Sequence, residues 1–533
     1  MPKIFAFDHD HGRAPAELAG LLGGKGAGLA EMSSALGLAV PPGFTISVPV
    51  CRDYASGGWP SDLDAEIDDH LRHLGERMRR NFGDQGDPLL LAVRSGAPVS
   101  MPGMMDTVLN LGLNSETVVG LAAKARDERF AWDTYNRFLT MYATTVMGVA
   151  PDELEPPLRT DRVEELKAQN ERLKERILEL AGRPVPEDPT VQLKEAVEAV
   201  FRSWDSDRAR AFRAKEGIDG DLGTAVNVQA MVFGNRGEDS GTGVVFSRNP
   251  STGENCPYGD FLLRAQGEDV VAGIRKTMPI AEMAVHQPAA AEELFEVLRR
   301  LEAHYADVCD VEFTVEDGRL WLLQTRIGKR CPTAAVRIAV EMVSDPHILL
   351  SRSDALLRVS PAVRAAAREE LAAASGNAVD DEHLLGHGLG ASPGFVSGKV
   401  VLNPLDALDA EEDVILVRRD TSPEDVAGMA ASVGILTTTG GLVSHAAVVA
   451  RGWSIPAVVG VADLVLGQDE FTSASGLRVR AGDVITIDGT SGKVWKGHHS
   501  APDPNEEAPA RHFPELAQLE EWAAHEESAT VTP

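Results

Sequence analysis

Apolar positions along the chain alternate between two periods. Residues 1–110 mix short apolar runs with glycine-rich turns, and LLLAV at 89–93 reads as a buried strand. Over 115–215 the spacing turns helical. There, DRVEELKAQNERLKERILELAG (161–182) sets Leu166, Leu173 and Ile177 on one helical repeat among charges. That pattern predicts a solvated surface helix, with a short coiled coil as the alternative. Strand-rich sequence returns over 222–334, in AVNVQAMVF (225–233), GVVFS (243–247), VEFTV (311–315) and LWLLQT (320–325). An alanine- and arginine-rich helical stretch at about 334–380 follows as a connector. From Gly388 to about Gly497, strands and helices alternate through ASPGFVSGKVVL, DVILVRR, GILTTTGG and DVITIDGTSGKVW, the pattern of a small α/β domain.

Composition narrows this picture. At roughly 100–200 residues per domain, 533 residues predict three or four folding units. The balance of 51 basic against 81 acidic residues, a net of -30, argues against a nucleic-acid or anionic-membrane partner and still leaves room for a locally basic phosphate site. Cys51, Cys256, Cys309 and Cys331 form no C-x-x-C pair and fit reduced thiols of a cytoplasmic protein. MPKIFAFDHDHGRAP lacks the apolar core of a signal peptide, and no apolar run reaches the ~18 residues of a membrane span. Residues 501–533 carry eight acids and one arginine and read as linker or tail, outside the core.

Four stretches carry phosphate chemistry. GGKGAG (23–28) combines glycines, which let backbone N–H groups approach a phosphate, with a lysine point charge. It is not a P-loop, because Ala19 and Gly26 stand where Gly and Ser/Thr are needed, and Leu29 replaces the third glycine of a dinucleotide fingerprint. A plain glycine turn fits it equally. In AVRSGAPVSMPGMMDTVLNLGLN (92–114), Arg94 ends an apolar strand beside a glycine-bearing loop, an arrangement suited to clamping a triphosphate; a surface salt bridge beside a methionine-filled gap is the alternative. GTAVNVQAMVFGNRGEDSGTGVVFSRNPSTGE (223–254) holds a second glycine-rich turn, SGTGV. In DVEFTVEDGRLWLLQTRIGKR (310–330), Glu312 and Gln324 lie on two strands joined by the turn EDG. Both offer oxygen to a hard cation such as magnesium, with Arg326 two residues further on. A hairpin with an ion pair is the structural alternative.

The most informative stretch is GGLVSHAAVVARG (440–452). A strand, GILTTT, enters a Gly-Gly turn, Ser444 is placed to cap a helix, and His445 falls in its first turn. Free N–H groups and the helix dipole there favour a phosphoryl group on the imidazole, and covalent capture splits a hard transfer into two easier ones.

Taken together, GGKGAGLAEM, VPPGFTI, RSGAPVSMPGMMDT, GTAVNVQ, RNPSTGE, AQGEDVVAG, LQTR and SPEDVAGM resemble the pyruvate, phosphate dikinase family of PEP-utilising enzymes over nearly all of residues 20–497. The resemblance implies an α/β and α+β multidomain chain. Residues 1–335 would be an ATP-grasp nucleotide-binding domain with a mainly helical insert at about 115–215. Residues 336–385 would be a helical linker, 386–497 a swivelling phosphohistidine domain, and 498–533 an acidic tail or shortened linker. It implies that Lys25, Arg94, Arg137 and Arg326 contact or help transfer ATP phosphates, and that Asp310, Glu312 and Gln324 form the magnesium and nucleotide site. Gly103, Thr242, Gly243 and Ser251 would lie in loops covering the nucleotide, with His445 as phosphocarrier. It further implies Mg2+ and a monovalent cation as cofactors. ATP and phosphate would yield AMP and pyrophosphate through a pyrophosphoryl-histidine and then a phosphohistidine.

The sequence departs from the family in places. After Trp495 only 38 residues remain, whereas the family's (β/α)8 barrel for pyruvate or phosphoenolpyruvate needs about 250. ELAQLEEWA (515–523) resembles the start of the second linker, so no TIM barrel is expected on this chain. Val443 stands where many members carry threonine, Thr439 where an arginine is frequent, and SIPAVVG (454–460) is closer to phosphoenolpyruvate synthases. The favoured expectation is an enzyme of the ATP and phosphate half-reactions that passes its phosphoryl group to pyruvate on a separate barrel protein or to another acceptor. The alternatives are phosphorylation of another small molecule, disfavoured by a connector of only about 50 residues, and a non-catalytic nucleotide-binding carrier.

Overall fold

The structure, a computed structural model, describes residues 2–99, 101, 104–158, 160–271, 277–373, 383–499 and 513–530. It is a mixed α/β chain in two compact units, 1–240 with 314–325, and 241–313 with 326–533. The division falls inside the stretch expected as one domain over 1–335, because the chain leaves the first unit after Ser240 and returns for one hairpin.

In the first unit an antiparallel sheet takes the order Ile4–Ala6, Gly43–Ile46, Ala225–Ala230, Leu91–Gly96, Thr107–Leu111. Leu91, Val93, Val108, Val226 and Val228 are fully buried. Helix Glu128–Thr145 opens with the Asp127 side chain accepting from Phe130 N and buries Phe130, Tyr135, Phe138, Leu139 and Tyr142. Helix Val163–Ala181 buries Leu166, Leu173 and Ile177, each contributing about 1.5–3 kcal/mol over exposure. Asn170 Oδ1 accepts from Asn136 Nδ2 at 2.7 Å. The charged helix is therefore amphipathic and packed on Glu128–Thr145. The returning hairpin turns at Asp317 (φ 50°) and Gly318 (φ 78°), the two positive values that an Asp-Gly turn supplies.

In the second unit, strands Gly241–Phe246, Tyr258–Leu263 and Met278–Pro279 neighbour one another in a five-stranded sheet. An eight-stranded sheet follows, ordered Leu384–His387, Lys493–Lys496, Val484–Asp488, Phe395–Val401, Val414–Arg418, Gly434–Thr437, Ala457–Val459, Leu389–Ser392. The pairings among Phe395–Val401, Val414–Arg418, Gly434–Thr437 and Ala457–Val459 are parallel, with helices Pro404–Leu408, Val426–Ala431 and His445–Trp453 in the connections. Ile415 and Val417 join one core and Leu416 and Ile435 the other, so both faces of the sheet are covered. The C-terminal stretch expected to lie outside the core instead forms helix Pro514–Thr530. Its Leu516, Leu519 and Trp522 are buried with Ala334, Ile338 and Met342, because its apolar positions find the bare face of the connector helices. Among the described residues no helix is long and apolar enough to cross a membrane.

Candidate functional site

The histidine is positioned by a turn that only glycine can make. Strand Gly434–Thr437 leads to Gly440 at φ +98°. A Cβ on Gly441 would lie 2.3 Å from Asp260 Oδ2. The next two amides, of Leu442 and Val443, donate to the Asp260 carboxylate. Burial pushes that carboxyl above its usual range, and the hydrogen bonds from Thr277, Val443 and Leu442 pull it back only in part. Arg451, buried at the far end of the same helix, donates to Leu442 O at 2.7 Å and to Ala391 O at 3.0 Å. Leu442 is thus held at both its amide and its carbonyl.

Ser444 Oγ then accepts from Ala447 N at 3.4 Å and caps helix His445–Trp453. His445 is its first residue. The ring is half-buried, with Nδ1 3.0 Å from Thr421 Oγ1. Nε2 is buried with no hydrogen-bond partner among the described residues. Burial lowers the His445 pKa, against the opposing charges of Asp425 and Glu424. The ring therefore stays neutral at neutral pH, the form a nucleophile needs. Asp425 Oδ2 accepts from Ser422 N at 2.8 Å and so fixes the loop that carries Thr421.

The other candidates fall into two groups, one per unit. In the first unit Arg94 donates to Leu323 O and to Gln324 Oε1, both at 3.3 Å. Lys25 lies beside the end of the Arg94 strand, since a Cβ on Gly96 would sit 3.6 Å from Lys25 Cβ. GGKGAG is not a plain glycine turn. It lies within helix Ala19–Ala30, broken only at Gly23 (φ 69°, ψ 164°), and Gly24 N donates to Ala97 O at 2.8 Å. Arg137 lies on helix Glu128–Thr145 with its Nε 3.0 Å from Asp133 Oδ2.

In the second unit Arg326 Nε is 2.6 Å from Asp310 Oδ2. Burial pushes the Asp310 carboxyl up and Arg326 pulls it back in part. Burial works to lower Arg326, and Asp310 and Glu312 more than offset it. Thr242 and Gly243 lie in strand Gly241–Phe246, not in a loop. Thr242 Oγ1 donates to Phe313 O at 2.9 Å, and a Cβ on Gly243 would meet Asp260 O at 2.6 Å and the Phe313 ring at 2.7 Å. Ser251 N donates to Asn249 Oδ1 at 2.9 Å in a tight turn. Gly103 lies outside the described residues.

Among the described residues no three His, Cys, Asp or Glu side chains gather as a metal site. Glu312 and Gln324 still offer hard oxygens of the type magnesium takes. Gln324 Oε1 keeps a second lone pair beyond the one Arg94 engages, and Asp310 Oδ1 is buried without a partner among the described residues. By type, each of these side chains, taken within its own unit, offers the kind of oxygen that magnesium binds. Sequence reasoning missed Thr421, Asp260 and Arg451. SPEDVAGM, the motif that follows Thr421, marks the loop without singling out the hydroxyl, and a carboxylate within YGDFLL gives no local signal.

Comparison with known proteins places this geometry in a family. The family described as pyruvate phosphate dikinase, AMP/ATP-binding domain, matches residues 19–58, 55–281 and 275–346, and PEP-utilising enzyme, mobile domain, matches 410–492. Pyruvate, phosphate dikinase of Rhizobium meliloti (strain 1021) is 46% identical over 524 residues, covering 93% of this chain and 58% of the relative. The chloroplastic enzyme of Flaveria trinervia is 46% identical over 518 residues, at 93% and 53% coverage. Pyruvate, phosphate dikinase of Clostridium symbiosum is 43% identical over 503 residues, at 90% and 57% coverage. The chain thus spans a little over half the length of these curated relatives. The match across 19–346 takes in well over half of the chain, which belongs to the pyruvate phosphate dikinase AMP/ATP-binding domain family.

Proposed function

We propose that this chain is a pyruvate, phosphate dikinase-like phosphotransferase that carries a phosphoryl group on His445 Nε2. Residues 1–335 act as an ATP-grasp nucleotide domain and 386–497 as a swivelling carrier. The observation that supports this most is the His445 ring, with Nδ1 at Thr421, Nε2 buried and unpartnered among the described residues, and the whole ring at the start of a capped helix.

For Nε2 to attack, its lone pair must be free, so the ring proton sits on Nδ1 and donates to Thr421 Oγ1. Attack at the β-phosphorus of ATP forms the N–P bond and breaks the bond from that phosphorus to the bridging oxygen, which leaves with AMP. An oxygen of inorganic phosphate then attacks the terminal phosphorus, pyrophosphate leaves, and phosphohistidine remains. Lys25, Arg94, Arg137 and Arg326 neutralise the phosphates, Ser251 lies in a turn beside the nucleotide, and Asp310 orients Arg326. Glu312 and Gln324 would hold magnesium, which supplies positive charge to the phosphate oxygens. The final acceptor is pyruvate or another small molecule.

The test is incubation with [β-32P]ATP, magnesium and phosphate. AMP release with acid-labile label that disappears in His445→Ala supports the reading. Absence of label in the wild type rejects it.

A further inference from the structure

A phosphoryl group on His445 Nε2 would enter an acidic neighbourhood, because Asp425 and Glu424 are the charges that bear on the ring. A dianion there needs a cation able to move onto it. The elements that frame the ring carry three arginines, and two are committed. Arg418 donates to Leu402 O at 3.1 Å and lies 3.5 Å from Asp425. Arg451 is buried, with its guanidinium on Ala391 O and Leu442 O.

The third is Arg419. Its side chain is exposed, and among the described residues it has no hydrogen-bond or ion-pair partner. Its backbone is fixed at the mouth of the histidine loop, where Arg419 O accepts from both Thr439 N and Thr439 Oγ1 at 2.8 Å. Two residues on, Thr421 holds the ring itself. The guanidinium therefore hangs from the short segment joining the histidine's hydrogen-bond partner to the turn ahead of its helix. An arginine side chain extends about 7 Å and presents a planar fork matched to phosphate oxygens.

We infer that Arg419 is the residue that clasps the phosphoryl group carried on His445. It does so from the carrier domain, so the clasp travels with the group when the nucleotide departs. This rests on the phosphocarrier reading above. Losing one charge-assisted contact lowers the occupancy and lifetime of the phosphorylated state by about tenfold or more.

The experiment compares wild type, Arg419→Gln, Arg419→Lys and the remote control Arg478→Gln after labelling with [β-32P]ATP, magnesium and phosphate. It measures the labelling rate, the half-life of the isolated phosphoprotein and the 31P shift of the phosphohistidine. The expected result is a half-life or labelling rate at least tenfold lower in Arg419→Gln, partial recovery in Arg419→Lys, no change in Arg478→Gln, and a moved 31P resonance in Arg419→Gln alone. Wild-type label with an unchanged rate, half-life and 31P shift in Arg419→Gln overturns the assignment and leaves the carrier reading standing. No label in the wild type overturns both.

Discussion

Thr421 offers the sharpest test of how the ring is prepared. In neutral imidazole one nitrogen carries the proton and the other the lone pair. With Nδ1 3.0 Å from Thr421 Oγ1, a hydroxyl accepting from Nδ1–H keeps Nε2 in its nucleophilic form. Thr421→Val retains the shape and removes the acceptor. A neutral hydrogen bond contributes about 0.5–1.5 kcal/mol, and tenfold in rate corresponds to about 1.4 kcal/mol. Labelling of His445 should therefore slow about 2- to 12-fold in Thr421→Val and stay near wild type in Thr421→Ser. Rapid-quench mixing with [β-32P]ATP, stopped in alkali to preserve the phosphoramidate, reads this rate directly. Circular dichroism confirms that each variant is folded. A Thr421→Val rate equal to wild type refutes the tautomer assignment.

Three further outcomes follow from burial and packing. The lowered His445 pKa means the unfolded chain binds more protons than the folded one between the two values, so this stability is complete above the ordinary histidine pKa and declines as pH falls towards the folded one; the thermal midpoint of His445→Gln, relative to wild type, should rise between pH 7.5 and pH 5.5, and an unchanged difference disproves the shift. Asp260 has the opposite sign, a raised carboxyl whose contribution is present at low pH and lost as pH rises through its folded pKa; Asp260→Asn should gain on wild type in thermal midpoint more at pH 7 than at pH 4, and the reverse ordering contradicts burial as the dominant influence on that carboxyl. Gly23→Ala would place a Cβ 1.6 Å from Gly96 O at a backbone conformation reserved for glycine, costing about 3 kcal/mol or more; hydrogen exchange at 91–96 should accelerate, and wild-type protection there contradicts the packing.

Much of the molecule could be read from local pattern. The runs LLLAV and GILTTT became parts of buried strands, and 115–215 became helices from Thr117 to Glu216. Ser444 caps the helix that begins at His445, as its residue type and place in the chain indicated. These features depend on neighbours within a few residues, where side-chain periodicity and turn chemistry act directly. The glycine stretches were harder to read. GGKGAG and SGTGV have the composition of turns, yet one lies in a helix and the other in a strand. Their missing side chains are explained by close approach of Gly96 O and of the Phe313 ring, which no local pattern encodes.

By itself the sequence determined many of the elements and the family resemblance, and it singled out His445 as the candidate phosphocarrier. Only the tertiary structure decided what holds that residue in place. Asp260 lies 182 positions before Leu442, and Arg94 lies 230 before Gln324. Contacts so distant in the chain arise when burial leaves a carboxylate, an amide or a guanidinium no water to bond, and each takes the partner that packing brings to it.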